Sequence, residues 1–147
     1  MINVSTIMQQ FVEWLEDDPD LKGYRISRAG VVNEDASLAR NGWVGLYRRS
    51  VDYDPRNLGV PHNNYEGVLT FNIIVQKAHL RSGEKAEDAL EEAVKTVIDR
   101  IVQVPRTYVD TFTDITVDYT YVESDRTTMY FQAALITMTA PFSIEVS

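Results

Sequence analysis

The residues best suited to chemistry are few. The chain holds two histidines, His62 and His79, and no cysteine. His62 follows Asp52 and Asp54 through a turn-rich stretch, and imidazole with carboxylates is the usual material of a metal site or a proton shuttle. A single histidine beside loop carboxylates of unfixed geometry does not make such a site. The absence of cysteine removes thiolate nucleophiles, disulfides and cysteine metal sites together, and fits synthesis in a reducing cytosol. There is no glycine loop to cradle phosphate, no nucleophile elbow around a serine, and no histidine pair at metal-binding spacing. The 22 acidic residues could be paired in many ways for acid and base work, and sequence selects none of them. Catalytic, cofactor and metal residues are therefore expected to be absent. Asn3-Val4-Ser5 has the form of a glycosylation sequon, but no export signal is visible to make it one.

The other chemical concentration is basic and aromatic. Arg48, Arg49 and Arg56 lie close to Trp43, Tyr47 and Tyr53. Arginine among aromatic residues is the composition enriched where proteins meet, although a charge-protected edge strand has the same look. Arg48, Arg49, Tyr53, Arg56, His62 and Tyr65 form the candidate interface. The net charge of −8 disfavours an electrostatic hold on nucleic acid, which needs cations to neutralise phosphates. The acidic stretches Glu13–Asp20 and Glu84–Glu92 fall on helical patterns and read as solvated faces. Tyr119, Tyr121, Tyr130 and Phe131 read as core and sheet-face packing.

These residues need elements to hold them. Thr6 and Gln9 have the spacing of a capping box, and Met8, Phe11, Val12 and Leu15 then follow at helical intervals until Pro19 and Gly23 stop them. Tyr24–Val32 and Gly42–Val51 are rich in β-branched and aromatic residues and predict two strands. Pro55, Gly59, Pro61 and Asn63-Asn64 predict a long loop from Val51 to Glu66, of the length that is commonly a functional arm. Leu69, Phe71, Ile73 and Val75 alternate with Thr70, Asn72 and Gln76, which predicts a strand with one buried face. Ala86, Ala89, Leu90, Ala93, Val94, Val97, Ile98 and Ile101 stripe the best helix of the chain. Its start is acidic, Arg100 lies near its end, and Pro105 bars its continuation. Strands carrying Ile115–Tyr121 and Thr127–Thr139 follow, joined by a hairpin turn at Glu123–Arg126. The last of them is apolar on both faces.

The predicted order is α-β-β-β-α-β-β. It implies an α+β fold in which an antiparallel or mixed sheet carries one long helix across it, with a second helix at the N-terminus. At 147 residues, 44% apolar and 24% charged, the composition is that of one globular domain over residues 1–147. No apolar run reaches the roughly 20 residues that a membrane helix requires.

Five segments, taken in order, resemble the tail terminator, or tail completion, proteins of long-tailed bacteriophages. They are the helix ending Trp14-Leu15-Glu16-Asp17-Asp18-Pro19, the strand Gly42-Trp43-Val44-Gly45-Leu46-Tyr47, the strand Val68–Val75, the helix start Glu84-Lys85-Ala86-Glu87-Asp88-Ala89 and the strand Phe131–Ile136. The likeness is one of element order and patterning over nearly the whole chain. It implies a ring, usually of six subunits, that caps the tail tube, ends its polymerisation and docks the head, with no catalytic turnover. The implied partners are further copies of the chain, the tail tube protein, a head–tail connector protein, and DNA that passes through the lumen without specific binding. Its implied place is the head-proximal end of the virion tail, assembled in the host cytoplasm. The 51–66 loop would be an arm, with Arg48, Arg49 and Arg56 as charged contacts, and Asp118 and Glu123 could line the lumen. Another connector or adaptor of the same neck, and a non-viral ligand-binding or enzyme domain, remain open beside this reading.

Overall fold

The N-terminal apolar stripe begins at Val4, two residues ahead of Thr6, and helix α1 (Val4–Glu16) begins with it. The Asn3 side chain accepts from the Thr6 amide at 3.0 Å, and the Asn3 amide donates to the Thr6 hydroxyl at 3.2 Å. The capping box expected at Thr6 and Gln9 is therefore built from Asn3 and Thr6. Asparagine is among the strongest N-caps, and starting there brings Val4 and Ile7 into the buried stripe with Met8, Phe11, Val12 and Leu15. Asp18 then caps a short 3-10 turn, Pro19–Leu21, and Leu21 returns to the core.

The structure, a computed structural model, describes residues 3–28, 42–54, 64–79, 83–122 and 130–145. After α1 come β1 (Arg25–Ser27), β2 (Trp43–Tyr53), β3 (Asn64–His79), α2 (Gly83–Ile101), β4 (Asp114–Val122) and β5 (Tyr130–Glu145). The five strands form one sheet in the order β1-β2-β3-β5-β4. Only β1 and β2 are parallel; the other three pairings are antiparallel. The fold is thus α+β with a mixed sheet, in the element order that the sequence predicts.

Three boundaries differ from the sequence reading. First, β1 is described only over Arg25–Ser27, and the rest of the expected strand to Val32 passes outside the described residues at 29. Second, the loop expected over 51–66 is shortened from both ends. Val51↔Leu69, Asp52↔Val68 and Tyr53↔Gly67 are paired, and the Asp54 amide donates to the Glu66 carbonyl at 2.8 Å. Ladder hydrogen bonds outweigh the weak strand propensity of Asp52, Asp54 and Asn64. The turn-formers Pro55, Gly59 and Pro61 lie in 55–63, outside the described residues. Third, β5 runs beyond Thr139 and through Pro141 to Glu145. The Pro141 carbonyl accepts from the Asp110 amide at 2.8 Å, so this residue turns its backbone away from β3 and the missing N–H is not needed there.

Both helices lie on one face of the sheet. Leu69, Phe71, Ile73 and Val75 of β3 and Ala134, Ile136, Met138 and Ala140 of β5 share a buried cluster with the apolar stripes of α1 and α2. Phe11 and Phe71 meet with ring centroids 4.9 Å apart. Trp14 and Arg100 clasp the helices together. The indole N–H donates to the Arg100 carbonyl at 2.7 Å, the Arg100 Nε donates to the Trp14 carbonyl at 2.9 Å, and the guanidinium sits 3.6 Å from the ring centroid.

Removing a large ring from this core costs transfer energy and leaves a cavity. Phe71→Ala is expected to lower unfolding stability by about 3–5 kcal/mol. Asn3→Ala, which removes only a cap, is expected to cost about 1 kcal/mol. Urea denaturation of the two variants checks the ranking.

Candidate functional site

The face of the sheet opposite the helices carries the side chains of Tyr47, Asn72, Thr70, Thr137 and Thr139, as the register requires. Asn72 Nδ2 donates to the Tyr47 hydroxyl at 2.8 Å, the Thr137 hydroxyl donates to Asn72 Oδ1 at 2.9 Å, and Thr70 and Thr139 share a hydrogen bond of 3.2 Å. The alternation along β3 predicts only one buried face, opposite Thr70, Asn72 and Gln76. Asn72 and Gln76 are nonetheless buried, as are Trp43, Ile74 and Ala133 at the same end. Trp43 thus leaves the arginine–aromatic group proposed from sequence. The solvated part lies elsewhere on this face, at Ser50 and Asp52 of β2 and at Asp114, Thr116 and Asp118 of β4.

The structure brings together only some of the candidate interface residues. Tyr53 and Tyr65 end the β2–β3 ladder side by side, with ring centroids 6.1 Å apart, and Tyr53 also meets Phe142 edge-on at 5.8 Å. Both tyrosines are exposed large aromatics. Tyr53 also lines an open cleft of about 710 Å³, together with Asp52, Asp54, Glu66, Arg106, Tyr108 and Asp110. Gly67 forms its floor. A Cβ there would press into the Asp52 carbonyl oxygen, so the two backbones approach as only glycine permits.

The arginines are elsewhere. Arg48 donates to the Ser5 hydroxyl at 3.1 Å, tying β2 to the start of α1, and Arg49 is exposed where the β2–β3 register slips between Arg48 and Ser50. A bulge of this kind bends an edge and redirects the side chain it carries. Arg56 and His62 lie outside the described residues. Among the described residues no group of three histidine, aspartate or glutamate side chains could hold a metal ion.

Two features escaped the sequence reading. Tyr24, Lys77 and Glu92 meet at the margin between the sheet and α2, with the Lys77 ammonium 4.6 Å from the centre of the Tyr24 ring. Burial lowers the Lys77 pKa, and Glu92 opposes that shift; burial raises the Tyr24 pKa, and Glu92 adds to it. The partners come from three separate elements, so no local signal announces them. The second feature is Tyr119. It was expected to pack, yet it is 55% exposed, and Ile115 is 42% exposed. Both lie on the helix-side face of β4, the last strand of the sheet. Alternation in a sequence reports that a strand has an apolar face, and not whether the helix layer reaches it.

No family model matches the chain, and no curated protein sequence matches it either. The class of protein is therefore defined by its own architecture: a two-layer α+β domain with helices on one face of a mixed sheet, a tyrosine pair at the end of the β2–β3 ladder and an exposed marginal strand.

Two measurements test this geometry. Gly67→Ala forces the Asp52 strand to shift and is expected to cost about 1–3 kcal/mol in chemical denaturation. Glu92→Gln removes a carboxylate that favours protonation of both neighbours, so the NMR titrations of Lys77 and Tyr24 are both expected to move to lower pH.

Proposed function

We propose that the chain is a structural subunit which works by fitting its neighbours, as a ring that terminates the tail tube of a long-tailed bacteriophage. The reading is supported most by how the molecule divides its surface. Both helices pack on one face of the sheet, and the exposed features among the described residues include a long edge strand, two tyrosines at the end of the β2–β3 ladder and an acidic margin. Such features suit contacts with other subunits and do not perform a reaction. A cap that joins a tube to a head needs two unlike surfaces in addition to the contacts that close its ring.

In this reading Tyr53 and Tyr65 dock onto the tail tube protein or a neighbouring subunit, and Arg49, farther along β2, adds a separate charged contact. Exposed aromatic residues give large contact area at low conformational cost. The head–tail connector takes the opposite end, and the subunit acts at the head-proximal end of the tail. Asp52, Asp114 and Asp118 stand exposed on the helix-free face. Turned toward a lumen, these carboxylates let DNA pass without adhering, because like charges repel and no counterion release rewards binding. Glu123, the other carboxylate expected to line the lumen, lies outside the described residues.

One observation favours a second reading, a ligand-binding domain: the cleft of about 710 Å³ beside Tyr53 and Arg106 lies within the size range of small-molecule sites. Electron microscopy of the protein mixed with assembled tail tubes separates the two. The cap is expected to decorate one end of each tube and to stop further growth, and Tyr53→Ala with Tyr65→Ala is expected to weaken that binding at least tenfold. Unlabelled tube ends, together with a melting temperature raised by a small molecule only when Tyr53 is intact, would overturn the cap and favour the ligand site.

A further inference from the structure

The two margins of the sheet are complementary. On one side β4 is exposed from Asp114 to Tyr119, with only Val117 half-buried. Its pairing with β5 runs through all nine residues with no shift of register, and it contains no proline, lysine or glycine. Of the devices that blunt natural edge strands it keeps only charge, in the exposed carboxylates of Asp114 and Asp118. Its backbone is also directed outward at known positions. The carbonyls of Pro141 and Thr139 accept from the amides of Asp110 and Thr113, so the odd-numbered residues of β5 face β4. Their partners Asp114, Thr116 and Asp118 face β5 in return, and Ile115, Val117 and Tyr119 present their amides and carbonyls to solvent.

On the other side β1 turns the Arg25 amide to the Gly42 carbonyl at 2.9 Å, which leaves the backbone groups of Ile26 pointing away from β2. Following the sheet order, β1 runs antiparallel to β4. Arg25 and Ser27 share the helix-free face with Thr116 and Asp118, and Ile26 shares the helix-side face with Val117.

We infer that the β4 edge of one subunit receives the β1 edge of the next, so that the sheet continues from copy to copy. Ile26 then pairs with Val117 through their outward backbone groups, Arg25 lies opposite Asp118, and Ser27 lies opposite Thr116. Each opposition matches apolar with apolar, cation with anion, or polar with polar on the same face. Charge argues for this partner edge in particular. Copies that each carry −8 repel one another, and Arg25 supplies a local cation to the carboxylate margin. The contact is heterologous, the kind that closes rings or extends filaments, and in naming what joins the subunits it rests on the ring reading. β1 is only three residues long, so each junction is weak alone and gains from closure around an axis.

The natural lack of cysteine gives a clean test. In an antiparallel hydrogen-bonded pair the Cα atoms lie about 5.5 Å apart, within reach of a disulfide. Inside one chain the same positions are separated by four strand spacings, roughly 19 Å, and cannot bridge. The double variant Ile26→Cys, Val117→Cys is oxidised at high protein concentration. The expected product is a ladder of covalent multimers, absent from either single variant and reduced at least tenfold by adding Asp118→Arg. Adding Arg25→Asp as well is expected to restore it. No ladder, or dimers from Val117→Cys alone, which would mean that two β4 edges pair with each other, overturns the inference. Imaging keeps the two proposals apart. A ladder of open chains upholds the junction and overturns the ring, whereas rings of the natural chain without a ladder from the double variant uphold the ring and overturn the junction.

Discussion

Along the middle of β3 and β5 every second side chain, from Leu69 to Val75 and from Ala134 to Ala140, is packed beneath two helices, and that one-sided burial sets the terms for the rest of the molecule. Phe71 carries Phe11, with Leu69, Ile73, Ile136 and Met138 around them, so the helix layer is held at the middle of the sheet. Burial of each large side chain contributes about 1.5–3 kcal/mol, and shifting a strand by one residue would exchange its two faces and lose that burial. The register of β3 against β5 is accordingly continuous from Asn64↔Glu145 to His79↔Tyr130. The Trp14–Arg100 clasp then fixes the helices to each other through two backbone carbonyls and a stacked guanidinium. Its partners are far apart in sequence, so it adds nothing until the core has formed.

A helix layer centred on β3 and β5 cannot also cover both margins. Ile115 and Tyr119 on β4 sit on the helix side and are nonetheless open to solvent, because neither helix extends over them. At the hairpin end the same limit leaves Tyr53 and Tyr65 exposed while Phe142 beneath them is buried. The exposed apolar groups are thus concentrated at the periphery of the sheet, where another molecule could reach them. The helix-free face is organised differently. The network of Tyr47, Asn72 and Thr137 satisfies its central polar groups internally, which lets Asn72 be buried without the cost of an unpaired amide.

Only part of the arrangement of the candidate interface residues was legible. Tyr53 was singled out as an aromatic beside the arginines and Tyr65 was named with it, and the ladder between β2 and β3 places the two together. The arginine grouping did not survive as a unit, since Arg48 is engaged with Ser5 on α1 while Arg49 stands at a register slip. Trp43, adjacent in sequence, faces a buried part of the helix-free side. Neighbours in a strand alternate between faces, so a cluster in sequence is divided by the pleat before it can become a surface.

What the residues determined unaided was periodicity and punctuation: the stripes of both helices, the alternation along β3, the stop before Pro105, and with them the order of elements and the α+β class. These signals are local and depend only on how each residue sits in its own helix or strand. Tertiary structure decided the rest. It set the sheet order that makes β1 and β4 the margins, carried β5 through Pro141, and extended the hairpin into a stretch whose own propensities favour a loop. It also joined Lys77 to Tyr24 and Glu92. Strand order and burial depend on contacts between segments distant along the chain, and the free energy of those contacts is large enough to override local preference.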